Sequence, residues 1–132
     1  YGYPVLPQLD TKRHYDLLRQ WIHDCDSSHT FCKPISPHRT RLPTRVLYVG
    51  TIENPQLRLH CPTEEYAKYI ALSRCWGGPD PAKNFSTFGC NIDARCGNIQ
   101  LEDLPIIFRD AITVTRELGI QFLWIDSICI VQ

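Results

Sequence analysis

Only Gly119 and Ile120 separate the amphipathic run LEDLPIIFRDAITVTREL, residues 101–118, from the apolar run QFLWIDSICIV, residues 121–131. The first run places Leu104, Ile107, Phe108, Ala111, Ile112 and Leu118 on one helical stripe, with Pro105 suited to the first turn and Gly119 to the position just past the last. Upstream, YIALSRCW, residues 69–76, is apolar with little polar alternation, as expected of a strand buried on both faces. Strand, long loop, helix and strand in that order describe a βαβ crossover with parallel strands. The chain is therefore read as α/β.

The remaining segments are arranged around that unit. Tyr15, Leu18, Trp21, Ile22 and Cys25 recur at helical spacing after Asp10 or Thr11 as cap, predicting an amphipathic helix over 11–26. Residues 27–44 are rich in Pro, Ser and basic side chains and read as an irregular arm. RVLYVG (45–50) and LRLHC (57–61), joined through Asn54-Pro55, predict a β-hairpin. Residues 77–100 read as a long loop. Two regions result: an N-terminal helix and arm over 1–44, and the α/β region over 45–132. The sequence contains no Met and ends in apolar strand material. It is expected to be an excerpt of a longer protein, with a sheet incomplete at its C-terminus.

With 132 residues the chain has material for one core, and 14 basic side chains balance 14 acidic ones. That balance leaves no broad basic field for nucleic acid or an anionic membrane, so neither is expected as a partner. Seven cysteines in no even framework, behind an N-terminus that lacks a signal peptide pattern, indicate a reducing, cytoplasmic setting.

Ligands of open parallel sheets bind beyond the carboxyl ends of the strands. Ser73, Arg74, Trp76 and Asp126 fall at those ends, and a carboxylate inside FLWIDSICI must be hydrogen-bonded, paired or neutralised. Two readings of Asp126 follow: a wall of a cleft, or a structural group that caps a turn or pairs with Arg74. Gly77-Gly78 form no phosphate loop, since GxGxxG and Gly-Lys-Ser/Thr spacings are absent and Pro79 removes a donor. Ser73 lies in no GxSxG elbow. Cys25, His29 and Cys32 have a spacing that would suit zinc on a continued helix, with Cys61 as a fourth ligand, although a single helix seldom supplies three ligands. Among Cys75, Cys90, Cys96 and Cys129, with His60 as partner, no nucleophile stands out. Cys75 and Cys129 are expected to pack as small hydrophobes with raised pKa.

YIALSRCWGG, LEDLPIIFRDAITVTRELG and QFLWIDSICIVQ, in this order and spacing, resemble the successive signature blocks of the fungal heterokaryon-incompatibility (HET) domain, over residues 69–132. WIHDCDSSHTFC and LPTRVLYVG resemble the lead-in that precedes it. The resemblance implies an effector of fungal nonself recognition leading to programmed cell death, acting beside other recognition modules. It also implies a distant kinship with TIR domains, and so a flavodoxin-like core. TIR-like domains commonly self-associate, and some cleave NAD. On the latter model Ser73, Arg74, Trp76 and Gly77 would line the nucleotide pocket, Asp126 would form its second wall, and the catalytic glutamate would lie beyond Gln132. Glu102 and Glu117 do not match that glutamate.

Overall fold

The structure is a computed structural model and describes residues 12–31, 40–75 and 85–132. The chain divides into two compact units, Tyr1–Ile35 and Ser36–Gln132.

The first unit contains helix α1, Lys12–Ser28. Its polar face carries local pairs, with Arg19 donating to Asp16 at 2.7 Å and Gln20 to Asp24 at 2.9 Å. Ser27 Oγ turns back onto the His23 carbonyl at 2.7 Å, a bond that competes with the backbone ladder where the helix ends. Of the expected stripe, Tyr15 is buried, Leu18 and Cys25 are half-buried, and Trp21 and Ile22 stay exposed.

In the second unit, β1 (Val46–Gly50) and β2 (Pro55–His60) form the expected antiparallel hairpin. Gly50 has φ +69° and pairs with Pro55 across a register shift that closes the hairpin. Strand β3 is Ile70–Leu72 and strand β4 is Phe122–Ile125, and they pair in parallel with Leu72 opposite Ile125. The βαβ expectation therefore holds. The sheet, however, runs β2-β1-β4-β3, with β1 antiparallel to β4, so it is mixed where a parallel core was expected.

This order corrects the reading of YIALSRCW. β3 is three residues long and lies at the sheet edge, with Ile70 and Leu72 half-buried and Ala71 exposed. The strands with no exposed residue are β1 and β4, each of which has neighbours on both sides.

Period-2 alternation divides the core between the two sheet faces. Leu47, Val49, Leu123 and Ile125 pack with Phe108 and Ile112 of helix α3, Ile106–Glu117. Val46 and Phe122 face a smaller cluster with Leu42, joined by Tyr48, Tyr69 and Trp124. The covering segment is tied down by backbone bonds from Leu42 N to Glu65 O and from Ala67 N to Thr40 O.

Helix α3 follows a 3-10 turn at Leu101–Asp103, and Pro105 sits just ahead of its first residue. Past its end, Gly119 N donates to Arg116 O at 2.9 Å and Ile120 N to Thr115 O at 3.1 Å, with Gly119 at φ +72°. These paired bonds around a left-handed glycine form a Schellman stop, which explains why the four residues 118–121 suffice to turn the chain into β4. Ile107, expected on the buried stripe, is 44% exposed, while Thr115 is fully buried and donates to Ala111 O at 2.7 Å.

Two further elements differ from expectation. Residues 77–100, read as loop, contain helix α2 at Ile92–Gly97. The run 121–131 is a strand only to Ile125, after which Asp126–Cys129 turns into a short helix, α4.

Candidate functional site

The parallel register puts the exits of β3 and β4 side by side. Ser73 and Asp126 are the next residues after the Leu72–Ile125 pair, so both stand at the carboxyl edge of the sheet. Arg74 extends over the ring of Phe108, its guanidinium carbon 4.7 Å from the ring centre, and its Nη1 donates to the Cys75 carbonyl at 3.2 Å. Asp126 is half-buried at the start of α4, where its Oδ1 accepts the Ser127 N–H at 2.7 Å. A carboxylate that accepts a backbone N–H at a strand-to-helix transition explains why a charge interrupts the apolar run. Trp76 and Gly77 lie outside the described residues.

Behind this edge is a polar hub that the sequence reading missed. Thr87 is fully buried; its N–H donates to Ser127 O at 3.0 Å and its Oγ1 donates to Ile128 O at 2.6 Å. Arg95 Nη1 donates to Thr87 Oγ1 at 2.5 Å and to Phe85 O at 3.0 Å, with the guanidinium 4.1 Å from the Phe85 ring centre. Burial holds the Arg95 pKa below its ordinary value. The only sequence signal for the hub is FSTF, residues 85–88, where two polar residues stand between aromatic ones.

Ser127 presents the opposite case, since its Oγ is buried and meets no hydrogen-bond partner among the described residues. The two hydroxyls should therefore respond with opposite sign. Thr87→Val removes a satisfied hub and should cost about 1–3 kcal/mol in urea unfolding, whereas Ser127→Ala removes an orphan and should raise stability by up to about 1 kcal/mol. Equal losses in both variants would contradict this assignment.

The cysteines separate by environment. Cys75, expected to pack inside a strand, is exposed just beyond β3, because β3 ends three residues earlier. Cys129 does pack as a small hydrophobe: burial pushes its thiol up to about 11 from the usual 9.0. Between those pH values the unfolded chain has released this proton while the folded chain keeps it, so the native state binds more protons and stability falls as pH rises. The contribution is complete below pH 9 and gone above pH 11, about 2–3 kcal/mol in all. Urea unfolding across that window should show the extra loss in the wild type and not in Cys129→Ala, and parallel curves would refute it.

His60 is occupied elsewhere. Its Nε2 pairs with Glu65 Oε2 at 2.6 Å and its ring stacks on Phe122 at 5.7 Å. As for metal, α1 ends at Ser28, although His29 N still bonds Cys25 O at 3.3 Å, and Cys32 lies outside the described residues. No group of three or more His, Cys, Asp or Glu suited to a metal ion occurs among the described residues.

Two concavities lie away from the carboxyl edge. One, of about 260 Å³, is bounded by Gly50, Thr51, Glu53, Arg116, Glu117 and Gln121 at the amino end of β4. A more open one, of about 670 Å³, lies between 41–44 and 61–63. Glu117 thus belongs to the opposite end of β4 from Asp126, and exposed Glu102 uses its carbonyl to accept Arg109 Nη2 at 2.8 Å. Neither acid joins Ser73 and Asp126. No helix among the described residues is long and apolar enough to cross a membrane.

No curated protein and no solved structure matches the chain. Residues 69–132, which contain β3, α3, β4 and α4, match the family model described as Heterokaryon incompatibility protein (HET). That match covers the whole βαβ unit and both residues at its carboxyl edge, and it supports a heterokaryon incompatibility domain over this span.

Proposed function

We propose that this HET segment works in the cytoplasm as the effector of fungal nonself recognition, driving programmed cell death when it self-associates beside other recognition modules. The family match supports involvement in heterokaryon incompatibility at the level of the family. The observation that favours assembly is the apolar first turn of α3, where Ile106 is 74% and Ile107 44% exposed. Exposed aliphatic pairs of this kind suit an interface between copies better than a solvated helix face.

The test compares the intact protein with Ile106→Glu. Sedimentation should show association weakened about tenfold or more with the circular dichroism spectrum unchanged, and cell death in a fungal host should fall with it. Undiminished association and death in the variant would sink the assembly reading.

A second reading, NAD cleavage by a TIR-like, flavodoxin-like core, has its own support. Ser73, Arg74 and Asp126 share the carboxyl edge of a parallel pair, the place where open α/β sheets bind ligands. On this reading the site is completed by residues after Gln132 or by a second copy. Asp126→Ala should then abolish NAD consumption by the intact protein while leaving association in place. Absence of consumption by an associated wild type would return Asp126 to a structural role, accepting the Ser127 N–H at the start of α4.

A further inference from the structure

Cys61 and Cys96 come from distant parts of the HET-bearing unit, 35 positions apart in sequence, yet their sulfurs stand 3.9 Å from one another. Cys61 is the residue just past the end of β2, and Cys96 lies in the last turn of α2. The frame that holds them is backbone: Ile99 N, two residues beyond α2, donates to Leu57 O of β2 at 2.8 Å. Closing to a disulfide bond length of about 2.05 Å asks for side-chain rotation within this frame.

We propose that Cys61 and Cys96 form a redox modification site, which a peroxide converts to a disulfide that staples α2 to the end of β2. The Cys61 thiolate attacks one peroxide oxygen; an S–O bond forms, the O–O bond breaks, and the departing oxygen leaves as water after taking a proton. The Cys96 sulfur, giving up its proton, then attacks the sulfenic sulfur of Cys61. The S–S bond forms as the S–O bond breaks, and the second oxygen also leaves as water. The two sulfurs together lose two electrons, which the peroxide gains, and a dithiol reverses the change.

Environment sets the order of the two cysteines. Cys61 is exposed and meets oxidant first, whereas Cys96 is half-buried, and burial first, then the Cys61 neighbour, push its thiol up. A thiol held protonated is a poor first nucleophile but becomes a resolving one when a sulfenic acid forms beside it. Exposed Cys75 and Cys90 serve as internal controls, and buried Cys129 is shielded from oxidant. Once formed, the bridge encloses β3, Ser73 and Arg74 in a covalent ring, so oxidation would restrain the chain that carries one side of the carboxyl edge.

The test treats the reduced full chain with equimolar hydrogen peroxide and maps its peptides without reduction. The expected result is a Cys61–Cys96 crosslinked peptide as the main product and a Tm raised by roughly 10 °C, both reversed by dithiothreitol. In Cys96→Ser the rise should vanish and a dimedone adduct should accumulate on Cys61. Cys61→Ser, at an exposed position, keeps the experiment informative if Cys96→Ser fails to fold, because it should also abolish the rise. The proposal is overturned if Cys61 and Cys96 stay reduced while Cys75 or Cys90 takes up the oxidant. It is equally overturned if Cys61 proceeds to sulfinic acid as fast in the wild type as in Cys96→Ser.

Discussion

Phe108→Ala is expected to lower the unfolding free energy by about 3–5 kcal/mol, a large part of what a domain of this size possesses. The side chain is fully buried in the cluster that joins α3 to β1 and β4, among Leu104, Ile112, Leu123 and Ile125. Its removal leaves a ring-sized void between a helix and a sheet that cannot both move inward, and the packing of neighbouring atoms is lost as well as the transfer energy. The ring also supports the Arg74 guanidinium at 4.7 Å, so the variant should loosen the carboxyl edge of β3 along with the core. Urea unfolding measures the loss, and Ile106→Ala, on the same helix but 74% exposed, supplies the contrast with a change within about 0.5 kcal/mol. Similar losses at the two positions would mean that α3 does not dock through Phe108.

Gly50→Ala should cost about 3 kcal/mol or more, or force the hairpin into another turn. At φ +69° an added Cβ would stand 2.5 Å from Asn54 O and 2.6 Å from Gln56 N, and backbone atoms cannot step aside as a flexible side chain would. Gly119 isolates the conformational part of this cost. Its φ is +72°, but nothing lies within 4 Å of the added carbon, so Gly119→Ala should cost only the left-handed strain, about 1–2 kcal/mol. Thermal unfolding of both variants measures the difference, and equal losses would place the whole effect in φ and none in the close approach.

Helix α3 was legible because its signals are local: an apolar stripe, Pro105 before it and Gly119 after it. The parallel pairing of β3 with β4 followed from the short exit through Gly119 and Ile120, which leaves the chain nowhere to go but back onto the sheet. What a run of apolar residues does not encode is the strand's place in the sheet. YIALSRCW and QFLWIDSICIV look alike in composition, yet one is a short edge and the other has partners on both sides, because a hairpin far upstream pairs with β4 and not with β3. Asp126 stood out as a polar interruption of the apolar run; that the strand stops there and the chain coils into α4 depends on packing of Ile128 and Cys129 into the core. Helix α2, six residues with no buried side chain, has too little periodicity to read.

Arginine was the least legible of all. A balanced charge count suggests a solvated surface, but several arginines here serve as clamps on backbone carbonyls. Arg45 Nε reaches Cys129 O at 2.8 Å, Arg109 Nε reaches Leu104 O at 2.8 Å, and Arg116 Nε reaches Val49 O at 2.8 Å. Arg45 and Arg116 join segments whose proximity arises only in the fold, while Arg109 clamps the turn just ahead of its own helix, and a fixed fork of donors suits such carbonyls. The same holds for the carboxyl edge: Ser73, Arg74 and Asp126 could be placed there from topology, while the Thr87–Arg95 hub behind them required the tertiary structure.

The strand order also sets a timetable for the nascent chain. β1 and β2 can zip together as soon as both have left the ribosome, but the other edge of β1 belongs to β4, roughly 70 residues later, a wait on the order of 10 s at ordinary rates of translation. Until α3 emerges Leu47 and Val49 lie on a hairpin with no helix to cover them, and until β4 follows one row of amides has no strand partner. Synthesis of this chain should therefore lean on chaperones that shield open β-edges, and slowing translation between β2 and β4 should increase its aggregation more than slowing it ahead of β1.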